Sequence, residues 1–201
     1  MANEAKYVIK DELMLGEEII WCGQPNKSKI FSKNDAFLVP FSLFWGGFAI
    51  VWTILATKYE GSFGIIGIPF IIIGIYFIVG RFFAKRYNKN HTYYAITNSR
   101  ILIVKTDLNE DKVGIVSAKV DMIEKESCVT DKNGVGTIIF GQLLPSQAIY
   151  LNTGLEFLSG LLNGDNNVVA FVDIEDCDEV LSLYRKVREG TYESSGEYSF
   201  L

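Results

Sequence analysis

Histidine occurs once in this 201-residue chain, at position 91, cysteine three times and proline four times. His91 has no Cys, Ser or carboxylate at a recognisable catalytic spacing, which excludes the familiar nucleophile–base arrangements and leaves it as an interfacial or strand-start residue. Cys22, Cys128 and Cys177 lie far apart, without the paired spacing that zinc or dithiol chemistry requires, so idle thiols in a reducing compartment are expected. Gly134-Val135-Gly136 lacks the following helix and lysine of a phosphate loop and reads as a turn. No catalytic residue, cofactor-binding residue, metal ligand or cofactor is assigned, and the chain is read as a non-enzyme.

Basic charge is scarce over the second half. Residues 91–201 carry nine Lys/Arg against seventeen Asp/Glu, a net of −8, which would repel a phosphate backbone and excludes nucleic acid as a partner. A cleavable signal peptide is not expected either, because the first apolar run begins only at residue 36, behind a mixed-charge segment.

Charge of either sign is missing from two windows, 36–56 and 61–80. Each meets the roughly 20 residues that a helix needs to cross a hydrocarbon core of about 30 Å. The second holds eight Ile and three Phe, residues that favour insertion. The rest of the chain is too small to surround two such helices in a soluble core. The short link Thr57–Glu60 forces them antiparallel. Lys27, Lys29 and Lys33 precede the pair and Arg81, Lys85, Arg86 and Lys89 follow it, while the link holds only Lys58. The positive-inside rule then puts both termini in the cytoplasm of a multi-pass protein of the cell (inner) membrane.

Within the spans, Ser42, Gly46, Gly47, Gly67 and Gly74 are small enough for close helix packing, with packing inside the hairpin favoured over an oligomer interface. Pro40 falls near a first turn and is tolerated, whereas Pro69 lies deeper and is expected to kink the second helix. Arg81, Lys85, Arg86 and Lys89 form a basic cluster at the membrane interface. They satisfy the topology rule and could also attract anionic lipid.

Outside the hairpin the period changes to that of strands. Glu18–Cys22, His91–Ile96, Arg100–Lys105, Val113–Lys119, Met122–Thr130, Val135–Phe140 and Asn167–Ile174 are candidate strands, followed by a helix from about Asp176 to Arg188 with acids first and bases last. This predicts a small β-barrel or sandwich with a helical plug. Residues 142–166 are long for a connection, and Ala148, Leu151, Leu155, Leu158 and Leu162 recur at helical spacing. An insertion packed on the barrel is the main expectation, and an amphipathic element on the membrane surface the alternative.

The runs GEEIIWCGQP, PFSLFWGGFAIVW, GIPFIIIGIYFIVGRFF, TYYAITNSRILIV and GVGTIIFG, taken in order, resemble the bacterial membrane-anchored pleckstrin-homology-like (PH-like) domain proteins over roughly residues 13–188. The resemblance implies an α+β membrane protein in which a two-helix transmembrane hairpin is inserted after a first strand and followed by a bent PH-like sheet or barrel capped by the C-terminal helix. It implies no activity. The expected organisation is an N-terminal segment with the first strand (1–35), a transmembrane hairpin (36–84, helices 36–56 and 61–83), a cytoplasmic PH-like domain (85–190) and a flexible tail (191–201). The expected function is a membrane-tethered interaction or assembly module, with membrane lipids and a protein partner or a second copy as its contacts. The alternative is a weak sensor of anionic headgroups, although the turn Thr97–Arg100 offers only one basic residue.

Overall fold

The computed structural model describes residues 2–109, 111–163 and 168–192, so the tail lies, from residue 193 on, outside the described residues. The chain divides into a sheet unit (Met1–Lys29, Asn88–Leu144, Asn167–Leu201) and a helical unit (Ile30–Tyr87, Pro145–Asn166).

The sheet unit holds two antiparallel sheets. In the first, β1 (Ile19–Gly23), β2 (Thr92–Thr97), β3 (Arg100–Thr106) and β4 (Lys112–Lys119) lie in that order; in the second, β5 (Glu126–Thr130), β6 (Gly136–Phe140) and β7 (Ala170–Ile174). The strand readings of the sequence hold to within a few residues, although Asn167, where the last of them begins, lies outside the described residues. The exception is Met122–Thr130, of which only Glu126–Thr130 is strand; Met122 is the last residue of a short 3-10 turn at Val120–Met122.

Side chains in β2 and β3 alternate between two cores, as the period of a strand requires. Tyr94, Ile96, Ile101 and Ile103 join Ile138, Phe140, Phe171 and Ile174 of the second sheet in the main core. Tyr93, Ala95, Leu102 and Val104 face the other way and pack with Ala5, Val8 and Ile9 of an N-terminal helix, α1 (Ala2–Lys10). This helix was not read from the sequence.

Phe171 is the hub of the main core. Its ring stacks on Tyr94 at 4.7 Å and meets Phe140 edge-on at 5.0 Å, a geometry that aromatic quadrupoles favour. The Val172 N–H donates to the Tyr94 hydroxyl at 3.1 Å, tying one sheet to the other. The C-terminal helix (Cys177–Arg188) adds Val180, Leu181 and Tyr184 to the same core, as expected. The two sheets remain separate, so the result is an α+β fold with no closed barrel among the described residues.

The helical unit contains α2 (Asp35–Glu60) and, after a 3-10 stretch at Gly61–Ile66, α3 (Gly67–Ile75), a π turn at Tyr76–Gly80 and α4 (Arg81–Asn90), whose last residues belong to the sheet unit. Pro69 is the third residue of α3. In a first turn the missing N–H costs no intrahelical bond, and the second helix departs from α geometry on both sides of α3, at Gly61–Ile66 and Tyr76–Gly80.

Residues 145–163 form α5 (Pro145–Tyr150) and α6 (Glu156–Asn163). They were expected to pack on the barrel. They group instead with the helices, because their polar and aromatic contacts are made to the ends of α2 and α3.

Candidate functional site

Two features of the helical unit set what it can do: a closely packed seam lined by small residues, and a buried ionic cluster beside it. Along α2 the seam runs through Leu38, Ser42, Gly46 and Ala49, all buried, and on the opposing helix through Gly67 and Gly74. A Cβ on Gly74 would sit 3.2 Å from the Gly46 Cα, and one on Gly67 would strike the Thr53 side chain. Here the absence of a side chain is what lets the backbones approach. Gly47 faces open space and is exposed, so it takes no part in the seam. The hydroxyls of Ser42, Thr53 and Thr57 donate to the carbonyls of Leu38, Ala49 and Thr53, at 2.6–2.8 Å, which leaves none of them unsatisfied.

The remaining faces of both helices are apolar and outward. Phe37, Phe44, Val51, Ile54, Ile65, Ile72 and Ile75 are among the exposed side chains. The most apolar stretches of Asp35–Tyr59 and Gly64–Asn90 are only 22% and 17% buried. Core helices of a soluble protein would be mostly buried, so these two have the length and surface of helices that cross a membrane. Trp45, Phe48, Ala49, Trp52, Ile66 and Phe70 line an apolar groove of about 300 Å³ on this surface.

The basic cluster does not lie on the surface as a set. Arg81, Lys85 and Lys89 recur every four residues on one face of α4 and are buried, at 0%, 2% and 5% exposure; only Arg86 is exposed. Arg81 Nη1 donates to Asp35 Oδ1 at 2.7 Å and Lys85 Nζ to Asp35 Oδ2 at 3.0 Å. The Ser32 N–H and hydroxyl also donate to Asp35 Oδ2, at 2.6 and 2.8 Å. Two cations thus share one carboxylate. Asp35 itself is 2% exposed, so the whole group is withdrawn from water. Asp35 stands one residue before the uncharged window and gave no sign of this role.

Lys89 is bound within the sheet unit. Its ammonium donates to Asp173 Oδ2 at 2.6 Å and to the backbone carbonyls of Asn26 and Lys29. Lys29 completes a chain of charges, reaching Asp173 Oδ1 at 3.1 Å and Asp131 Oδ2 at 2.9 Å. Burial disfavours the Lys29 ammonium, but Asp131 and Asp173 outweigh it and raise its pKa; Lys29 in turn holds the Asp131 carboxyl below its ordinary range.

Arg100, the basic residue of the β2–β3 turn, is also committed. Its Nε and Nη2 donate to the two oxygens of Glu17 at 2.8 and 3.0 Å, a bidentate pair. Thr97 Oγ1 and the Met14 N–H donate to the same carboxylate at 2.7 and 2.8 Å. Burial would push the Glu17 carboxyl up, but these hydrogen bonds and the guanidinium charge prevail and bring its pKa down to about 2.

Among the described residues there is no group of three or more His, Cys, Asp or Glu side chains that could hold a metal ion. Cys22 and Cys177 are buried, and burial drives the Cys177 thiol up to about 12, far from the reactive thiolate form. Compared with known protein families, with curated proteins and with solved structures, the chain matches none. Its own geometry defines an α+β protein with two antiparallel sheets and two helices long and apolar enough to cross a membrane.

Proposed function

We propose that this chain is a membrane-tethered PH-like interaction or assembly module without catalytic activity, crossing the bilayer twice and holding both termini in the cytoplasm. One observation carries the reading. The strands on either side of the helical insertion pair with each other, Gly23 opposite Tyr94 and Cys22 opposite Ala95, while the inserted helices present apolar side chains outward over most of their surface. A chain that leaves and re-enters one sheet at neighbouring strands, with two membrane-length helices between, is suited to fixing a soluble domain at a bilayer. Four strands in one sheet, three in the other and a C-terminal helix in the core are in keeping with the PH-like resemblance.

Edge strands supply a means of association. β4 and β5 each have one unpaired edge and carry exposed apolar side chains, Ile115 and Val129. An extended partner segment could add to such an edge. Recognition of anionic headgroups is the weaker reading, since Arg81, Lys85, Lys89 and Arg100 are spent on internal acids and Arg86 alone of the expected cluster is exposed.

Crosslinking in native membranes followed by mass spectrometry tests the proposal. Crosslinks from the sheet unit to a partner protein or a second copy are expected. A chain that stays monomeric and partnerless across crosslinker lengths contradicts it.

A further inference from the structure

The segment 145–163 has its polarity reversed for a surface element in water. Leu155 and Ser159 of its second helix region are buried, while Phe157, Leu161 and Leu162 are exposed, as is Ile149 in α5. From Gln142 to Asn163 the sequence holds one charged side chain, Glu156, and its Oε1 accepts from the Thr153 and Gly154 N–H groups at 3.1 and 3.3 Å. The exposed face therefore carries no free charge to keep it in water.

Its attachment points fix its level along the helices. Asn34, the residue before α2, donates through Nδ2 to the carbonyls of Ala148 and Ile149, each at 2.9 Å. The Tyr76 hydroxyl donates to the Gly154 carbonyl at 3.0 Å, and the Tyr76 and Phe157 rings lie 6.1 Å apart, edge to face. Gly154, at φ +78°, is pressed so closely on the Arg81 carbonyl that any Cβ there would collide with it. All these contacts fall where the apolar spans give way to Asp35 and Arg81. At about 1.5 Å per residue, Tyr76 is roughly 7 Å inside that boundary, comparable to the 5–10 Å depth at which interfacial helices lie.

We infer that residues 145–163 form a third membrane-contacting element, which lies in the headgroup–acyl boundary of the leaflet at the Asn34–Arg81 end of the hairpin and seats Ile149, Phe157, Leu161 and Leu162 among the acyl chains. The inference rests on the membrane reading of the hairpin, with whose outward apolar surface this face is continuous through Tyr76 and Phe157. Because the segment offers no Lys or Arg, its contact with lipid is apolar and indifferent to headgroup charge.

The test uses the full chain in a Cys128→Ser background, in which Cys22 and Cys177 are buried, reconstituted in phosphatidylcholine vesicles with or without anionic phosphatidylglycerol. An environment-sensitive fluorophore is placed at Leu161→Cys, at Ile72→Cys in α3 and at Leu108→Cys in the sheet unit, all exposed positions. The element predicts that Leu161→Cys shows blue-shifted emission quenched by spin-labelled lipid, equally in both vesicle types. Ile72→Cys should be quenched by probes near the bilayer centre, and Leu108→Cys should report water. Water-like, unquenched emission at Leu161→Cys with Ile72→Cys still in lipid overturns the inference alone. Blue-shifted emission that lipid probes do not quench also overturns it, since protein would then cover the face. Water-like emission at Ile72→Cys overturns the membrane reading itself.

Discussion

Arg81 Nη1 and Asp35 Oδ1 lie 2.7 Å apart although 46 residues separate them in the chain. The pair closes the helical hairpin at its polar end, with Lys85 as a second cation on the same carboxylate. Removing the acid strands two buried cations. Asp35→Asn is expected to destabilise the detergent-purified protein by about 3–5 kcal/mol, whereas Asp35→Leu combined with Arg81→Met and Lys85→Met should recover most of that loss, because no charge is then left unpaired. Thermal unfolding of the two variants checks this. A single substitution with no measurable cost would sink the idea that the pair closes the hairpin.

Gly74 and Gly47 are both glycines in apolar helices but should respond oppositely to a larger side chain. Gly74→Leu must displace Gly46 across the seam and should cost about 1–3 kcal/mol by overpacking. Gly47→Leu points into open space and should be neutral to within about 0.5 kcal/mol. Equal effects in the two variants would mean that the seam is not where the helices meet.

Glu17 makes stability depend on acid. Its folded pKa of about 2 lies below the ordinary 4.5, so its contribution is complete above pH 4.5 and disappears as the pH falls toward 2. The shift corresponds to roughly 3 kcal/mol. Glu17→Gln should lower stability at neutral pH and flatten the acid limb of a pH–stability profile. An unchanged limb would show that Arg100 and Glu17 are not paired in solution.

Phe171 touches both sheets and sits at full burial. Phe171→Ala should cost about 3–5 kcal/mol, read by denaturant unfolding of the sheet unit's near-ultraviolet signal. A loss under 1 kcal/mol would mean that the two sheets do not share this core.

Most strands were legible in the sequence because alternation and turn residues mark them: Thr97-Asn98-Ser99 joins β2 to β3 and Asp131–Gly134 joins β5 to β6. The apolar helices were legible from the uncharged windows alone. Helix α1 was missed because Ala5, Val8 and Ile9 give a single short apolar stripe among charges, which gains meaning only against the second face of β2 and β3. The basic cluster was seen as residues but not as an arrangement. Spacing by four puts Arg81, Lys85 and Lys89 on one face with Arg86 off it, a signal present in the sequence. Their acids, Asp35 and Asp173, come from distant elements and could be identified only from the tertiary structure. The same holds for residues 145–163, whose helical period was readable but whose partners, Asn34, Tyr76 and Arg81, were not.

The proposed function requires the helical hairpin to cross a membrane and return, leaving the sheet unit on one side. Labelling with a membrane-impermeant maleimide in sealed vesicles of opposite orientation tests it most directly, using Lys58→Cys at the end of α2 and Leu108→Cys in the sheet unit, each in the Cys128→Ser background. Leu108→Cys should be labelled only in inverted vesicles and Lys58→Cys only in right-side-out ones. Labelling of both positions from the same side, or release of the protein from the membrane by alkaline carbonate, would contradict it.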